Sequence, residues 1–205
     1  VDPWIWKWRY DDKHQVIEAK RWLAHPKYDG TKTQTADQYK YDIGLIELEQ
    51  PVTSARAAKL ADSLEFPAAN SICKLAGWGL KKGGIPTNIA HSLELRVLNS
   101  SECREHHSLI DQTMQFCTIN DSLEKYTAVG DSGSCLYCLD EAKEWVVGGI
   151  VSFAYASRPW ISSGNIRLTA HRQWIDQIVN KDSISIHLFS FVTMLMTWLF
   201  EIITQ

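Results

Sequence analysis

Trp4, Trp6, Trp8 and Tyr10 stand on one parity of the chain, and Ile5, Lys7 and Arg9 on the other. A period of two predicts a strand that lays its aromatic face on a core. Val16 to Leu23 predicts a second strand, stopped at His25-Pro26 because proline cannot donate to a ladder. Gly30 to Lys40 is polar and reads as a loop, and Ile43 to Leu48 alternates as a strand. Pro51 to Pro67 is mostly small and polar, a connector and the expected boundary between two halves. Ser71 to Leu80 and Ala90 to Leu98 predict strands around a Lys81-Lys82-Gly83-Gly84 turn. Ser100 to Ser108 suggests a short helix, and Trp145 to Phe153 a long apolar strand. Leu168, His171, Trp174, Ile175 and Ile178 fall at helical spacing, so Leu168 to Val179 predicts an amphipathic helix. Many strands, regular turns and one late helix define an all-β chain of the barrel class.

Composition changes this picture little. The 205 residues suffice for one sizeable domain or two small ones. Apolar content of 45% and charged content of 22% are ordinary. A net charge of −3 gives no basic field, which argues against a nucleic-acid partner. No repeat or low-complexity run interrupts the chain. Val1 to Tyr10 lacks the basic region and apolar core of a signal peptide, so a secreted product is expected to be longer than this sequence.

Ser183 to Phe200 holds no acidic or basic residue apart from His187. Eighteen residues is the lower limit for a membrane span, and Ser185, His187, Ser190, Thr193 and Thr197 dilute it. A membrane anchor, a lipid-anchor signal and a packed extension are all compatible with it. The lipid-anchor reading lacks its polar spacer.

Cys135 and Cys138 have C-x-x-C spacing, as a zinc or redox site would. No second close pair exists, and no histidine lies at ligand spacing beside them. Two disulfides and one odd thiol in an oxidising compartment fit Cys73, Cys103, Cys117, Cys135 and Cys138 better. Neither a metal nor a cofactor is expected. The sequons Asn99-Ser100-Ser101 and Asn120-Asp121-Ser122 agree with secretion.

Candidate chemistry centres on Gly130-Asp131-Ser132-Gly133. A serine is a poor nucleophile without a base to take its proton and donors to hold an oxyanion. Glycines on both sides permit a tight turn that can aim the Gly130 and Ser132 N–H groups at one point. Alone, the motif reads as a turn. Upstream, however, stands Asp42-Ile43-Gly44-Leu45-Ile46-Glu47-Leu48, with Ser132 90 residues after Asp42. Gly77-Trp78-Gly79 and Val147-Gly148-Gly149-Ile150-Val151-Ser152-Phe153 complete the set.

Together these motifs resemble the trypsin/chymotrypsin-like serine proteases, over about Val16 to Val179. In that family's reference triad the aspartate precedes the serine by roughly 93 residues. The resemblance implies a trypsin-like double β-barrel with a C-terminal helix, its first barrel incomplete. Residues 1–60 would be the remnant of the N-terminal barrel, 61–165 the C-terminal barrel, 166–181 the closing helix and 182–205 a hydrophobic tail. It implies Ser132 as nucleophile, Asp42 as orienting carboxylate, and Gly130 and Ser132 as oxyanion donors. Ser152-Phe153-Ala154 stands where the family binds substrate backbone, and Tyr126 at the base of its primary specificity pocket. The family pattern pairs Cys73 with Cys138 and Cys103 with Cys117. Arg167 to Ile178 matches the closing helix, with Trp174-Ile175 at its Trp-Ile. The partner would be a polypeptide substrate or inhibitor. The product would be extracellular, with membrane association through 183–200 an option.

Several positions depart from the pattern. Ala128 replaces a cysteine, and the partner expected after Ser152 is absent too, so one family disulfide is lost. Gly133-Ser134-Cys135 replaces Gly-Gly-Pro, which leaves Cys135 unpaired or paired between chains. Tyr126 carries no fixed charge where trypsin-like members place aspartate, so trypsin-like specificity is not expected. Asp121 and Glu124 read as solvated loop charges. The Ala-Ala-His-Cys segment is missing. The family's histidine lies roughly 45 residues before the aspartate, ahead of Val1 here. His14 and His25 lie too close to Asp42, His25-Pro26-Lys27-Tyr28 matches a surface motif, and His91, His106, His107 and His171 fall elsewhere. The amino-terminal Ile-Val-Gly-Gly, whose amine pairs with the carboxylate at Asp131 in the family, is missing as well. The expectation is a serine endopeptidase-type domain without its catalytic histidine. The alternative is a non-catalytic binding protein on the same scaffold.

Overall fold

A computed structural model describes residues 17–30, 39–53, 56–81, 84–122, 125–154, 162–182 and 186–189. The aromatic stretch Trp4 to Tyr10 and most of the expected tail lie outside them.

Among the described residues the strands are β1 (Ala19–Ala24), β2 (Gly44–Leu48), β3 (Ile72–Gly77), β4 (His91–Val97), β5 (Gln115–Ile119), β6 (Cys135–Leu139), β7 (Trp145–Ala154), β8 (Ser163–Arg167) and β9 (Ile186–Phe189). Helix α1 (Ser100–His106) follows β4, and a 3-10 turn (Leu168–His171) leads into α2 (Arg172–Asp182). Strands β3-β4-β5-β8-β7-β6 close a six-stranded barrel, and β1-β2-β9 form a separate antiparallel sheet. The closed barrel, the second sheet and the terminal helix make a trypsin-like double-barrel architecture.

Strand β7 joins the two parts. Its continuous apolar run is buried from Val146 to Ser152 on both faces, as strands covered on two sides are. Val151 faces a cluster with Leu75, Leu95, Val97, Phe116 and Leu136 inside the barrel. Val147 and Ile150 face outward onto Ile43 and Leu45 of the β2 segment and onto Ile175 of α2. The helical spacing of Trp174, Ile175 and Ile178 places all three on that second cluster. Helix α1 begins with a capping box: Asn99 Oδ1 accepts from the Glu102 N–H at 3.0 Å, and the Asn99 N–H donates to Glu102 Oε2 at 3.0 Å. Each such cap satisfies donors that the first turn leaves orphaned.

Both expected disulfides are present. Cys73 and Cys138 sit directly opposite each other on β3 and β6. Cys103 of α1 joins Cys117 of β5. Three strands had no clear signal in the apolar pattern: β5, β6 and β8. A fourth, β9, pairs antiparallel with β2, Leu45 opposite Leu188, and falls within the stretch expected to be a hydrophobic tail. No helix among the described residues is long and apolar enough to cross a membrane.

The sheet and α2 also trap an aromatic group. His25 stacks on Tyr41 at 4.8 Å between ring centroids and lies 4.8 Å from Trp174 and 5.3 Å from His171. His171 is 2% exposed, its Nε2 has no hydrogen-bond partner among the described residues, and burial together with the nearby His25 pushes its pKa down to about 4. Burial lowers that of His25 as well. A histidine whose folded pKa is depressed leaves the unfolded chain binding more protons between the two values. Stability is therefore full above pH 6.5 and falls as pH drops toward 4. At about 1.4 kcal/mol per unit, His171 alone removes roughly 2 kcal/mol by pH 5. The urea midpoint should fall between pH 7 and pH 5, and fall less in His171→Phe. An identical pH dependence in both proteins would refute this assignment.

Candidate active site

The loop from β5 to β6 presents Ser132 through two backbone constraints. Gly130 and Gly133 adopt φ of 96° and 83°, conformations open to glycine and costly for residues with a Cβ. Between them the chain turns sharply: Asp131 N–H donates to Ala128 O at 3.0 Å, and Ser134 N–H to Asp131 O at 3.0 Å. The turn is stitched to β7, with Gly133 N–H on Val151 O at 2.8 Å and Val151 N–H on Ser134 O at 3.0 Å. The N–H groups of Gly130 and Ser132 have no backbone acceptor among the described residues.

Asp131 anchors this turn from below. It is 8% exposed; its Oδ1 accepts from Gly79 N–H and its Oδ2 from Ala128 N–H, both at 2.9 Å. Burial pushes its carboxyl above the usual range, and these two donors pull against that shift. Among the described residues, two backbone donors hold the carboxylate that the family resemblance would pair with an amine. Gly77-Trp78-Gly79 gains a physical reason here: a Cβ at Gly77 or at Gly79 would overlap the Asp131 carboxylate.

Asp42 approaches from the other side. It follows Tyr41 and precedes β2, and it is fully buried. Ser152 Oγ donates to Asp42 Oδ2 at 2.5 Å, while Ser132 Oγ donates to the Ser152 carbonyl at 3.4 Å. The residues singled out as Asp42 and Ser132 therefore meet on one buried residue of β7. Ser152, expected to contact substrate backbone, is also the partner of the aspartate.

The remaining expected residues spread along one edge. Phe153 stacks on Tyr39 at 4.5 Å and meets His107 edge-on at 5.3 Å. His107 is buried, shares a 2.8 Å hydrogen bond with Ser162 Oγ, and has its pKa lowered by that burial. Tyr39, His107 and Ser162 carried no signal as a group in the sequence, since nothing local brings them beside Phe153. Ala154 ends β7 opposite Ser163. Tyr126 is half-buried and borders a cavity of only about 10 Å³ shared with Lys125, Thr127, Ser162 and Ser163. Beneath it Thr118 Oγ1 and Ser163 Oγ lie 3.0 Å apart, and Asn165 Nδ2 donates to Thr118 Oγ1 at 3.0 Å. No group of three or more histidine, cysteine or acidic residues among the described residues could hold a metal.

Closed barrel, second sheet, closing helix and a serine–aspartate pair bridged through one strand define a serine protease domain of the chymotrypsin-like class. The trypsin family model matches residues 6–175, and the chain belongs to that family. It is 27% identical over 171 residues to transmembrane protease serine 9 of Rattus norvegicus, covering 82% of this chain and 16% of that protein. It is 29% identical over 147 residues to the venom plasminogen activator Haly-PA of Gloydius brevicauda, covering 70% of this chain and 56% of that protein. Against the chymase of Cavia porcellus the figures are 26% over 175 residues, 82% and 65%. The chain thus spans less than two thirds of the length of each of these relatives.

Two outcomes follow from the geometry. Gly79→Ala should displace the Asp131 carboxylate, strand a buried charge and cost at least about 2 kcal/mol, read as a lowered urea midpoint; an unchanged midpoint would show that Asp131 does not need this space. Cys135 is the free thiol, and burial pushes its pKa up to about 11. At pH 8 that leaves roughly 0.1% thiolate, so iodoacetamide should label folded Cys135 on the order of 100-fold more slowly than an unperturbed thiol. The rate should climb with pH beyond 9, and fast labelling at pH 8 would contradict it.

Proposed function

We propose that this chain is a serine endopeptidase-type domain with Ser132 as nucleophile and Asp42 as the carboxylate that orients the base. The N–H groups of Gly130 and Ser132 are the oxyanion donors. The supporting observation is the contact both side chains make with Ser152, whose hydroxyl serves Asp42 and whose carbonyl accepts from Ser132. In such a site the serine attacks a peptide carbonyl, its proton passes to a histidine held by the aspartate, and the two N–H groups stabilise the resulting oxyanion.

The base is the weak link. No histidine among the described residues hydrogen-bonds Ser132 Oγ. His25 and His171 are packed in their aromatic group, and His107 is bound to Ser162. The polypeptide as given is therefore expected to be inactive. The second reading, a non-catalytic binding protein on the protease scaffold, draws on the cavity beside Tyr126. Its roughly 10 Å³ is about the space one water needs.

In either reading the partner is a polypeptide, substrate or inhibitor, and the two disulfides support an oxidising, extracellular compartment. The division proposed with this reading follows the family resemblance: 1–60 as a remnant of the first barrel, 61–165 as the second barrel, 166–181 as the closing helix and 182–205 as the tail. Membrane association through 183–200 would require Ile186–Phe189 to leave the edge of β2.

Incubation with a serine-directed fluorophosphonate and a broad peptide library tests the assignment. The expected result is no labelling and no cleavage, because loss of a triad base costs about 10⁶-fold in turnover. Activity that vanishes in Ser132→Ala would mean that another group supplies the base and that the inactive reading is wrong.

A further inference from the structure

Two glycosylation sequons lie within the described residues, and the fold treats their asparagines differently. Asn99-Ser100-Ser101 opens α1, and Asn120-Asp121-Ser122 follows β5. Both asparagines are half-buried and the serine at each third position is exposed, so exposure does not separate them. The hydrogen bonds of the two carboxamides do.

Asn99 commits its oxygen and leaves its nitrogen open. Oδ1 accepts from the Ser101 N–H at 3.0 Å, from the Glu102 N–H at 3.0 Å and from Ser101 Oγ at 2.7 Å. A backbone N–H can only donate, so these contacts fix which end of the carboxamide is oxygen. Nδ2 makes no hydrogen bond among the described residues and is not one of their enclosed, unpartnered atoms. Asn99 also stands on the wall of an open cavity of about 1010 Å³, which gives a substituent on that nitrogen room. Glycosylation replaces one Nδ2 proton and leaves Oδ1 in place, so all three bonds survive it.

Asn120 has the opposite arrangement. Its Nδ2 donates to the Glu94 carbonyl at 2.9 Å, and its Oδ1 accepts from Ser122 Oγ. Asp121 beside it accepts from Arg96 Nε at 3.0 and 3.1 Å. Glu94 and Arg96 both belong to β4, so two successive side chains of this turn are tied to one strand. A sugar on Asn120 Nδ2 has to fit between the turn and β4 or break these bonds.

We propose that Asn99 carries an N-linked oligosaccharide in the folded protein and that Asn120 does not. In the step that attaches it, Asn99 Nδ2 attacks the anomeric carbon of an oligosaccharide carried on a polyprenyl diphosphate. The new C–N bond replaces the C–O bond to the diphosphate, which leaves, and Nδ2 loses one proton. A transferase of the secretory pathway, not this chain, promotes the reaction. For the natural product the proposal rests on the extracellular reading above, because only chains that enter that pathway meet the donor. Whichever sequon is modified in the extended chain, only the Asn99 form folds with every one of these bonds intact.

The experiment uses the full chain, directed into the secretory pathway of cultured animal cells by an added leader and carrying a control sequon after Gln205. Chains modified at that control have met the transferase. Peptide N-glycosidase in heavy-oxygen water marks each former glycan site, and trypsin separates the two sequons because Arg104 lies between them. The Asn99 mark is read on all control-modified chains, and its comparison with Asn120 on those with both disulfides formed. The expected result is a mark on most copies of Asn99 and on several-fold fewer of Asn120. Ser101→Ala should abolish the Asn99 mark and Ser101→Thr should keep it. Ser122→Thr should not raise Asn120 to the level of Asn99. An unmarked Asn99 on control-modified chains would overturn the proposal and leave the extracellular reading standing. Equal marking of the two asparagines would overturn it as well. A natural product found without sugar, while the directed chain carries it, would remove the extracellular reading and the proposal with it.

Discussion

The burial of Asp42 is the constraint around which the two halves of the molecule meet. A carboxylate removed from water is tolerated only with donors in place. Asp42 is fully buried, and Ser152 Oγ reaches it from the opposite half of the fold at 2.5 Å. That bond requires β7 and the β2 segment to lie in contact, and the apolar pairs around it supply the contact. Ile43 and Leu45 on one side and Val147 and Ile150 on the other share one cluster. The polar bond is thus flanked by a hydrophobic cluster drawn from both segments.

Much of this was legible because it is local. Asp42 stands one residue from a strand whose alternation is plain. The run from Trp145 to Phe153 is apolar throughout because both its faces are covered. Trp174, Ile175 and Ile178 repeat at the period of a helix and pack accordingly. The cysteine pairs followed from the family pattern and are formed.

What was not legible failed for identifiable reasons. Strand β8 reads Ser163-Gly164-Asn165-Ile166-Arg167, and its buried serine and asparagine satisfy one another's neighbours by hydrogen bonds across the barrel. Polar residues buried in a network leave no hydrophobic period to read. Strand β6 carries Cys135 and Cys138, and as expected one joins a disulfide and the other stays a free thiol, but the strand itself had no clear apolar signal. Residues of β9 were read for their apolar content alone, and only the partner strand β2 gives that content a place. The partners of Asp131 were missed because a backbone N–H carries no sequence signature; the glycines that make room for the carboxylate do, once its position is known.

The same separation bears on how activity could be gained or lost on this scaffold. The Ser132 turn is held by Gly130, Gly133, the Asp131 carboxylate and two backbone bonds to β7. None of these involves a histidine. The geometry of the proposed nucleophile and oxyanion donors is therefore secured by the second barrel, and a base would have to be brought to it from elsewhere. A domain of this kind can lose its chemistry without losing its fold, since the groups that carry the proton transfer and the groups that carry the stability are different ones. Binding of a polypeptide needs only the second set.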